Sequence, residues 1–251
     1  METTIKFTGK ADVYVQYRPG YPKEYISYLI SHNNLTSEKT VADIGSGTGI
    51  LTRQLLEKKL KVIAVEPNDD MRTAAEQALK NYPDFISMNG TAENTGIKDN
   101  SVDLITVAQA FHWFDKIKFK LECMRILKPD STVALVWNSR DLSSELMAEN
   151  AAICRKLCPS FKGFSGGMKE TSEIYRQFFR DGKYESDTFQ NDLEYDLDSF
   201  VGRNLSASYA PKNADPNYKE FVEAIAELFK KYSKDNRIIL PNTTRSYMGK
   251  V

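Results

Sequence analysis

The stretch Thr40-Val41-Ala42-Asp43-Ile44-Gly45-Ser46-Gly47-Thr48-Gly49-Ile50 decides how this chain is read. Thr40 to Ile44 is a short apolar and β-branched run, the pattern of a strand. Its glycines lead straight into a segment with Leu51, Leu55 and Leu56 on one helical side. Upstream, Pro22 opens a helix whose Tyr25, Ile26, Leu29 and Ile30 share a face, and Asn33-Asn34 ends it. Downstream, Lys-Val-Ile-Ala-Val at 61–65 is a second strand, followed by Glu66-Pro67-Asn68. Met71, Ala74, Ala75, Ala78 and Leu79 mark the next helix, and residues 85–88 and 102–108 two further strands. Ile117, Leu121, Met124 and Leu127 have helical spacing, Lys128-Pro129-Asp130 stops them, and residues 132–137 form a continuous apolar strand. This alternation predicts an α/β fold: a Rossmann-like, mostly parallel sheet with helices on both faces. Right-handed crossovers then bring the carboxyl ends of the strands to one edge, where ligands of such sheets bind.

The rest of the chain is less regular. Residues 139–180 read as helical. The tract 181–198 carries seven acidic residues and one Lys, a solvated surface interleaved with a strand near Tyr184 to Phe189. Phe221, Ile225, Leu228 and Tyr232 align on one helix, and Ile238-Ile239-Leu240 with residues 243–251 supply a last strand or hairpin. We expect a single domain over 1–251: an N-terminal arm and helix (1–38), a ligand-binding core (39–138), a cap with the sixth strand (139–215), and a C-terminal helix and last strand (216–251).

Composition excludes several classes. Apolar residues at 41% and charged residues at 27% are ordinary globular usage, so collagen, disordered tail and disulfide scaffold are set aside. Lys+Arg and Asp+Glu are both 34, which counts against a broad phosphate-facing field, although a local basic patch is invisible in that sum. Cys123, Cys154 and Cys158 make no CxxC, and the histidines are His32 and His112, so no zinc site is expected. His32 ends the first helix, where a cation complements the dipole. The opening Met-Glu-Thr-Thr-Ile-Lys-Phe lacks the pattern of a secretory signal, and no window approaches the ~20 apolar residues of a membrane span. A cytoplasmic protein is the expectation.

The glycine loop carries the chemistry. Gly45, Gly47 and Gly49 let a ligand approach the backbone, and the following helix offers unpaired N–H groups. A dinucleotide fingerprint needs G-x-G-x-x-G, yet Ile50 stands where its third glycine belongs. Asp43 repels a pyrophosphate and attracts an ammonium, which suits S-adenosylmethionine better than a nicotinamide dinucleotide. Glu66 lies 23 residues on, at the next strand's end, where an acid accepts hydrogen bonds from ribose hydroxyls. Asn89-Gly90-Thr91-Ala92-Glu93 offers backbone groups to an adenine edge. Ala108-Gln109-Ala110-Phe111-His112-Trp113-Phe114 places small residues and then aromatics at the reactive end. Trp113 and Trp137 are candidates for holding a sulfonium by cation–π attraction; Phe111 and Phe114 read better as core. His112 is either a base for a hydroxyl or amine acceptor or a structural or cofactor-contacting residue. Arg18 either pairs a carboxylate of cofactor or substrate or sits in a solvated arm. The tract 203–209 is read as a surface loop in preference to a segment facing the substrate.

These elements, in this order, resemble the class I S-adenosylmethionine-dependent methyltransferases. Asp43 to Gly49 resembles their first motif, Glu66 their ribose acid, and Pro67 through Met71 the segment beside adenine. Leu127-Lys128-Pro129-Asp130 is similar to their L-K-P-G turn, with Asp130 in place of Gly. Phe7 to Asp12, Tyr17 to Pro22 and Gln109 to Phe114 look like the small-molecule branch that includes trans-aconitate methyltransferase-like enzymes. The resemblance implies a seven-stranded sheet with its last strand antiparallel and a helical cap over the substrate. It implies S-adenosylmethionine as cofactor, S-adenosylhomocysteine as product, and a small-molecule acceptor methylated at O, N or C, with no nucleic acid or membrane. Arg18, Asp43, Gly45, Gly47, Gly49, Glu66, Pro67, Met71, Thr91, Ala92, Glu93 and Gln109 are the candidate cofactor residues, and His112 the candidate catalytic one. Thr91 stands where many relatives carry Asp, which leaves the Ala92 backbone and the Glu93 side chain as alternative adenine partners. A cofactor-binding module without turnover and a nicotinamide-dependent oxidoreductase remain as alternatives.

Overall fold

The computed structural model describes residues 18–164 and 172–251; the resemblance read at Phe7 to Asp12 and at Tyr17 lies outside them. In chain order the elements are α1 (Lys23–His32), β1 (Thr40–Ile44), α2 (Ile50–Leu56), β2 (Lys61–Val65), α3 (Asp69–Leu79), β3 (Phe85–Met88), β4 (Val102–Ala108) and α4 (Lys116–Ile126). Then come β5 (Leu127–Arg140), α5 (Glu145–Leu157), α6 (Ser172–Phe178), β6 (Glu185–Gln190), β7 (Leu193–Tyr195), α7 (Leu197–Leu205), α8 (Tyr218–Tyr232), β8 (Ile238–Leu240) and β9 (Asn242–Gly249).

Seven strands form one sheet in the order β3-β2-β1-β4-β5-β9-β6. β1 to β5 are parallel, and β9 runs antiparallel between β5 and β6. The expected seven-stranded sheet with its last strand reversed is what forms. The central strands β1, β4 and β5 are buried on both faces, which is why Val133 to Val136 of β5 reads as an unbroken apolar run. Alternate residues feed two separate cores. Ala42, Ile44, Ile105 and Val107 pack with Phe119 and Cys123 of α4 and Tyr175 and Phe178 of α6. Val41, Val62 and Leu104 pack with Tyr25, Ile26 and Leu29 of α1 and Leu51 and Leu55 of α2. Strand order reverses between β1 and β4, so the crevice beyond their carboxyl ends is the ligand position this topology favours.

A third apolar cluster lies apart from the sheet. It joins α5, α7 and α8 to the hairpin-like pair β7–β8 through Met147, Cys154, Phe200, Phe221, Ile225 and Ile238. α7 is started by a reciprocal capping box between Asp196 and Ser199, and α5 by the Ser144 side chain accepting from Met147 N. Two boundaries differ from expectation. β5 runs on to Arg140 because β9 pairs with it all the way to Asn242. β8 leaves the main sheet for β7, and only β9 enters it. His32 lies 3.6 Å from the Glu185 carboxylate. No described helix is long and apolar enough to cross a membrane.

Candidate active site at the strand ends

The glycine loop is stapled to its neighbour strand: Gly45 N and Ser46 N both donate to the Val65 carbonyl, at 2.8 and 3.2 Å. All three glycines have positive φ, but they face different things. A Cβ on Gly45 would stand 2.7 Å from Ala110 Cβ and 3.1 Å from Phe114, so this glycine lets the loop close on the segment after β4. A Cβ on Gly47 would meet nothing within 4 Å, so its open side is where a ligand can approach the backbone.

Asp43 lies beneath the loop rather than at its mouth. It is 1% exposed. Thr52 Oγ1 donates to its Oδ2 at 2.6 Å and Thr106 Oγ1 to its Oδ1 at 3.0 Å. Burial outweighs these two bonds and pushes its carboxyl up to about 6. Asp43 thus ties β1 to β4 and to the first turn of α2, and it underlies the glycines structurally.

Glu66 stands at the end of β2. Its two oxygens accept from Gly47 N and Asn68 N, each at 2.9 Å, and its pKa is raised, chiefly by burial. A carboxylate has about four lone-pair sites, so two remain for other donors. Asn68 caps α3 by accepting from Met71 N at 3.0 Å, which buries Met71 beside the loop after Pro67. Thr91 and Asn94 exchange backbone hydrogen bonds, Ala92 is buried, and the Glu93 carboxylate accepts from Asp115 N at 2.9 Å.

Two cavities meet at this edge. A small one of about 50 Å³ touches Gly45, Ser46, Gly47, Ile50 and Ala108. A large one of about 840 Å³ is lined by His112, Trp113 and Trp137, by the end of β5, and by residues following α7. Arg18, Gln109, Asn138 and Arg203 belong to both. Gln109 adopts φ of 60°, a conformation that costs a non-glycine residue free energy. Its backbone N–H donates to Val136 O and its side chain to Asn138 O. Arg18 donates from Nη2 to Ser206 O at 3.0 Å, and Asn138 and Asn191 both donate to Gly20 O. These bonds hold the entry segment across the join between the two cavities.

The structure divides the aromatic residues as the sequence did. Phe111 is buried against Phe178 at 4.8 Å, and Phe114 packs on Phe119 at 4.9 Å. Trp113 and Trp137 face the large cavity, with the His112 ring 4.3 and 5.2 Å from theirs. Thus Arg18, Gly45, Gly47, Gln109 and His112 converge on the two cavities. Glu66 reaches them through Gly47. Gly49, Pro67, Met71, Thr91, Ala92 and Glu93 line neither cavity. One expectation is corrected: 203–209 is not a surface loop. It is the end of α7 and the turn after it, with Arg203 and Asn204 buried. The available signal was the spacing Phe200, Arg203, Asn204, Ala207, which puts a cation on the apolar face of a helix. Arg140, Arg245 and Tyr209 also line the large cavity and had no local signature.

Comparison with known proteins agrees with this geometry. Residues 42–135 match the methyltransferase domain family model. A methyltransferase of Mycobacterium tuberculosis with no assigned substrate is 39% identical over 140 residues, 56% of this chain and 55% of that one. A methyltransferase-like protein of Schizosaccharomyces pombe is 32% identical over 160 residues, 61% of each. The chain therefore spans little more than half the length of these relatives. A solved structure from Anaeromyxobacter dehalogenans, described as a candidate type II methyltransferase, covers 93% of this chain and 98% of its own, with a TM-score of 0.64 at 21% identity. That likeness is one of fold.

Proposed function

We propose that this protein transfers a methyl group from S-adenosylmethionine to an O, N or C nucleophile of a small-molecule acceptor, releasing S-adenosylhomocysteine. The observation that carries the reading is the join between the glycine-loop pocket and the aromatic cavity through Arg18, Gln109, Asn138 and Arg203. The residues fit the cofactor: Gly47 presents an open backbone, and Glu66 keeps lone pairs for two sugar hydroxyls. Pro67, Met71, Thr91, Ala92 and Glu93 would flank the base. When bound, the cofactor supplies an electrophilic methyl group on a sulfonium.

The chain's own residues then do the rest. Trp113 and Trp137 offer aromatic faces to a cation, roughly 0.5–2 kcal/mol each. The cavity walls exclude water and align the acceptor, a contribution that reaches ~7–11 kcal/mol for well-oriented pairs. His112 accepts the proton of a hydroxyl or amine acceptor; a carboxylate acceptor needs no base. The third apolar cluster, spanning much of 139–215, acts as the cap. The resemblance of 17–22 and 109–114 to trans-aconitate methyltransferase-like enzymes supports a small-metabolite acceptor.

Calorimetry with S-adenosylmethionine, S-adenosylhomocysteine and NADH tests the cofactor. Binding of the first two and not the third is expected, and the reverse would move the protein to the oxidoreductases. A methyl-release assay against pooled metabolites then separates an enzyme from a binding module. His112→Ala should lower kcat roughly 10²–10⁴-fold with cofactor affinity little changed. Unaltered kcat would remove His112 from the chemistry.

A further inference from the structure

α4 is apolar on two sides and covered on one. Phe119, Cys123 and Ile126 turn into the core shared with α6 and are fully buried. Ile117, Leu121 and Met124 stand on the opposite side, 77%, 62% and 53% exposed. The apolar spacing visible in the sequence is therefore the outward one. A helix that is apolar all round is normally buried all round, and side chains four and three residues apart make one continuous ridge. At 3.6 residues per turn, Lys118 and Arg125 border this ridge on one flank and Lys120 on the other. From Lys116 to Ile126, four cations stand against one acid, Glu122. Asp99 and Glu122 neutralise Arg125. Lys118 lies 3.7 Å from the exposed Asp115, and Lys120 makes no ion pair among the described residues, donating instead to the Gln177 carbonyl.

The opposite signature lies at the β7–β8 pair. Asp192, Glu194, Asp196 and Asp198 fall within seven residues that hold no cation, and Arg237 pairs with two of them, 3.5 Å from Glu194 and 3.7 Å from Asp196. Leu193 with Leu240 and Tyr195 with Ile238 turn toward the third apolar cluster. Side chains alternate along a strand, so the register pair Glu194 and Ile239 faces out, and Ile239 is 60% exposed. Leu197, at the start of α7, is 37% exposed. Among the described residues, these two surfaces hold five of the seven exposed large apolar side chains, the others being Ile86 and Leu142. Exposed apolar residues gathered inside a charged rim mark an interaction surface. Here the chain carries both a basic-rimmed and an acidic-rimmed one, and its formal net charge of zero leaves no overall repulsion between copies.

We propose that α4 of one copy docks on the β7–β8 face of a second copy. Ile117, Leu121 and Met124 meet Ile239 and Leu197, while Lys118 and Lys120 face Glu194 and Asp198. The contact joins two different patches and is therefore heterologous. Its small apolar area makes it weak and salt-sensitive, with a Kd of roughly micromolar or above. None of these residues lines either cavity, so the inference is independent of the proposed function.

The test is sedimentation velocity on the full chain over roughly 1 μM to 1 mM, at low and high salt. The average mass should rise with concentration, and less so at high salt. Leu121→Asp should weaken association roughly tenfold or more. Lys118→Glu and Glu194→Lys should each weaken it roughly fivefold to tenfold. An equimolar mixture of those two charge variants should recover association, because each contact between unlike chains pairs opposite charges again. Urea midpoints near that of the wild type show that the variants are folded; should Leu121→Asp not fold, the two charge variants and their mixture decide. A wild type that stays monomeric throughout would overturn the proposal and leave α4 to a different partner. So would a Glu194→Lys variant that associates like the wild type, or a mixture that associates no better than its components.

Discussion

The glycine-loop edge and the large cavity share a boundary, but they are built in opposite ways. At the loop edge, the buried acids and the backbone of Gly45 and Ser46 find partners within the fold, although the Thr48 hydroxyl has none among the described residues. Asp43 takes two threonine hydroxyls, Glu66 takes two backbone N–H groups, and Gly45 and Ser46 share the Val65 carbonyl. In the cavity, buried donors on Arg203, Trp137 and Asn242 have no partner among the described residues. A site whose scaffold is complete can keep its shape without ligand. A site with unmet donors holds free energy in reserve for a ligand that meets them. Under the proposed function, the difference separates the part of the molecule that would position the cofactor from the part that would select the acceptor.

The loop glycines break this comparison most forcefully. Gly45→Ala drives a Cβ to 2.7 Å from Ala110 at a φ of 68°. Left-handed strain of ~1–2 kcal/mol and overpacking of ~1–3 kcal/mol add to a loss of about 2–5 kcal/mol. Gly47→Ala meets nothing within 4 Å, so only the strain applies to folding, but the new methyl enters the space proposed for the cofactor. Urea unfolding and cofactor titration of both variants check the contrast: Gly45→Ala should lose mainly stability and Gly47→Ala mainly affinity. Equal losses of stability would mean that the open side of Gly47 is not open in solution.

The fold was legible because it is written in neighbours. Val133 to Val136 of β5 is an apolar run that needs no distant information, and Gly45 to Gly49 mark a strand-to-helix turn. The loop edge was legible for the same reason, each of its residues lying just past the end of a strand. The cavity was not. Arg18, Arg140, Arg203 and Arg245 come from four separate places in the chain, and only folding brings them together. Trp137 was readable as an aromatic at a strand end, but Arg140 enters the cavity only because β9 extends β5 by three residues. Arg203 carried a trace of its placement, a cation on the buried side of α7, although the residues around it read as a loop.

Asp43 sharpens the comparison through pH. Its folded-state carboxyl sits near 6 against 3.8 for the ordinary group. Between about pH 4 and 6 the folded state therefore holds more protons than the unfolded one, and stability falls as pH rises through that window. Above pH 6 the full penalty is present, about 2–3 kcal/mol for a shift of this size. Glu66, raised as well, adds to the same slope, so the wild-type curve alone is ambiguous. Asp43→Asn removes one contributor. Unliganded Asp43→Asn should be more stable than wild type at pH 7, should lose that advantage near pH 4, and should bind cofactor more weakly. Denaturant midpoints from pH 4 to 8 measure it. A difference that stays constant with pH would show that the buried carboxylate is not the group responding.

The smallest effect lies at the far end of β5, away from both cavities. Asp130 adopts φ of 65°, in the region that favours glycine, where the resemblance to an L-K-P-G turn places a glycine. It is tolerated because aspartate enters the left-handed region more readily than most side chains, and its carboxylate accepts from Lys250 Nζ at 2.6 Å. Both partners are largely solvated, and exposed pairs of this kind contribute little. Relief of backbone strain should therefore outweigh the lost pair. Asp130→Gly is expected to raise Tm slightly, with cofactor binding unchanged. A fall in Tm would mean that the Lys250 contact, which ties the start of β5 to the chain just beyond β9, holds the antiparallel edge of the sheet more firmly than its exposure implies.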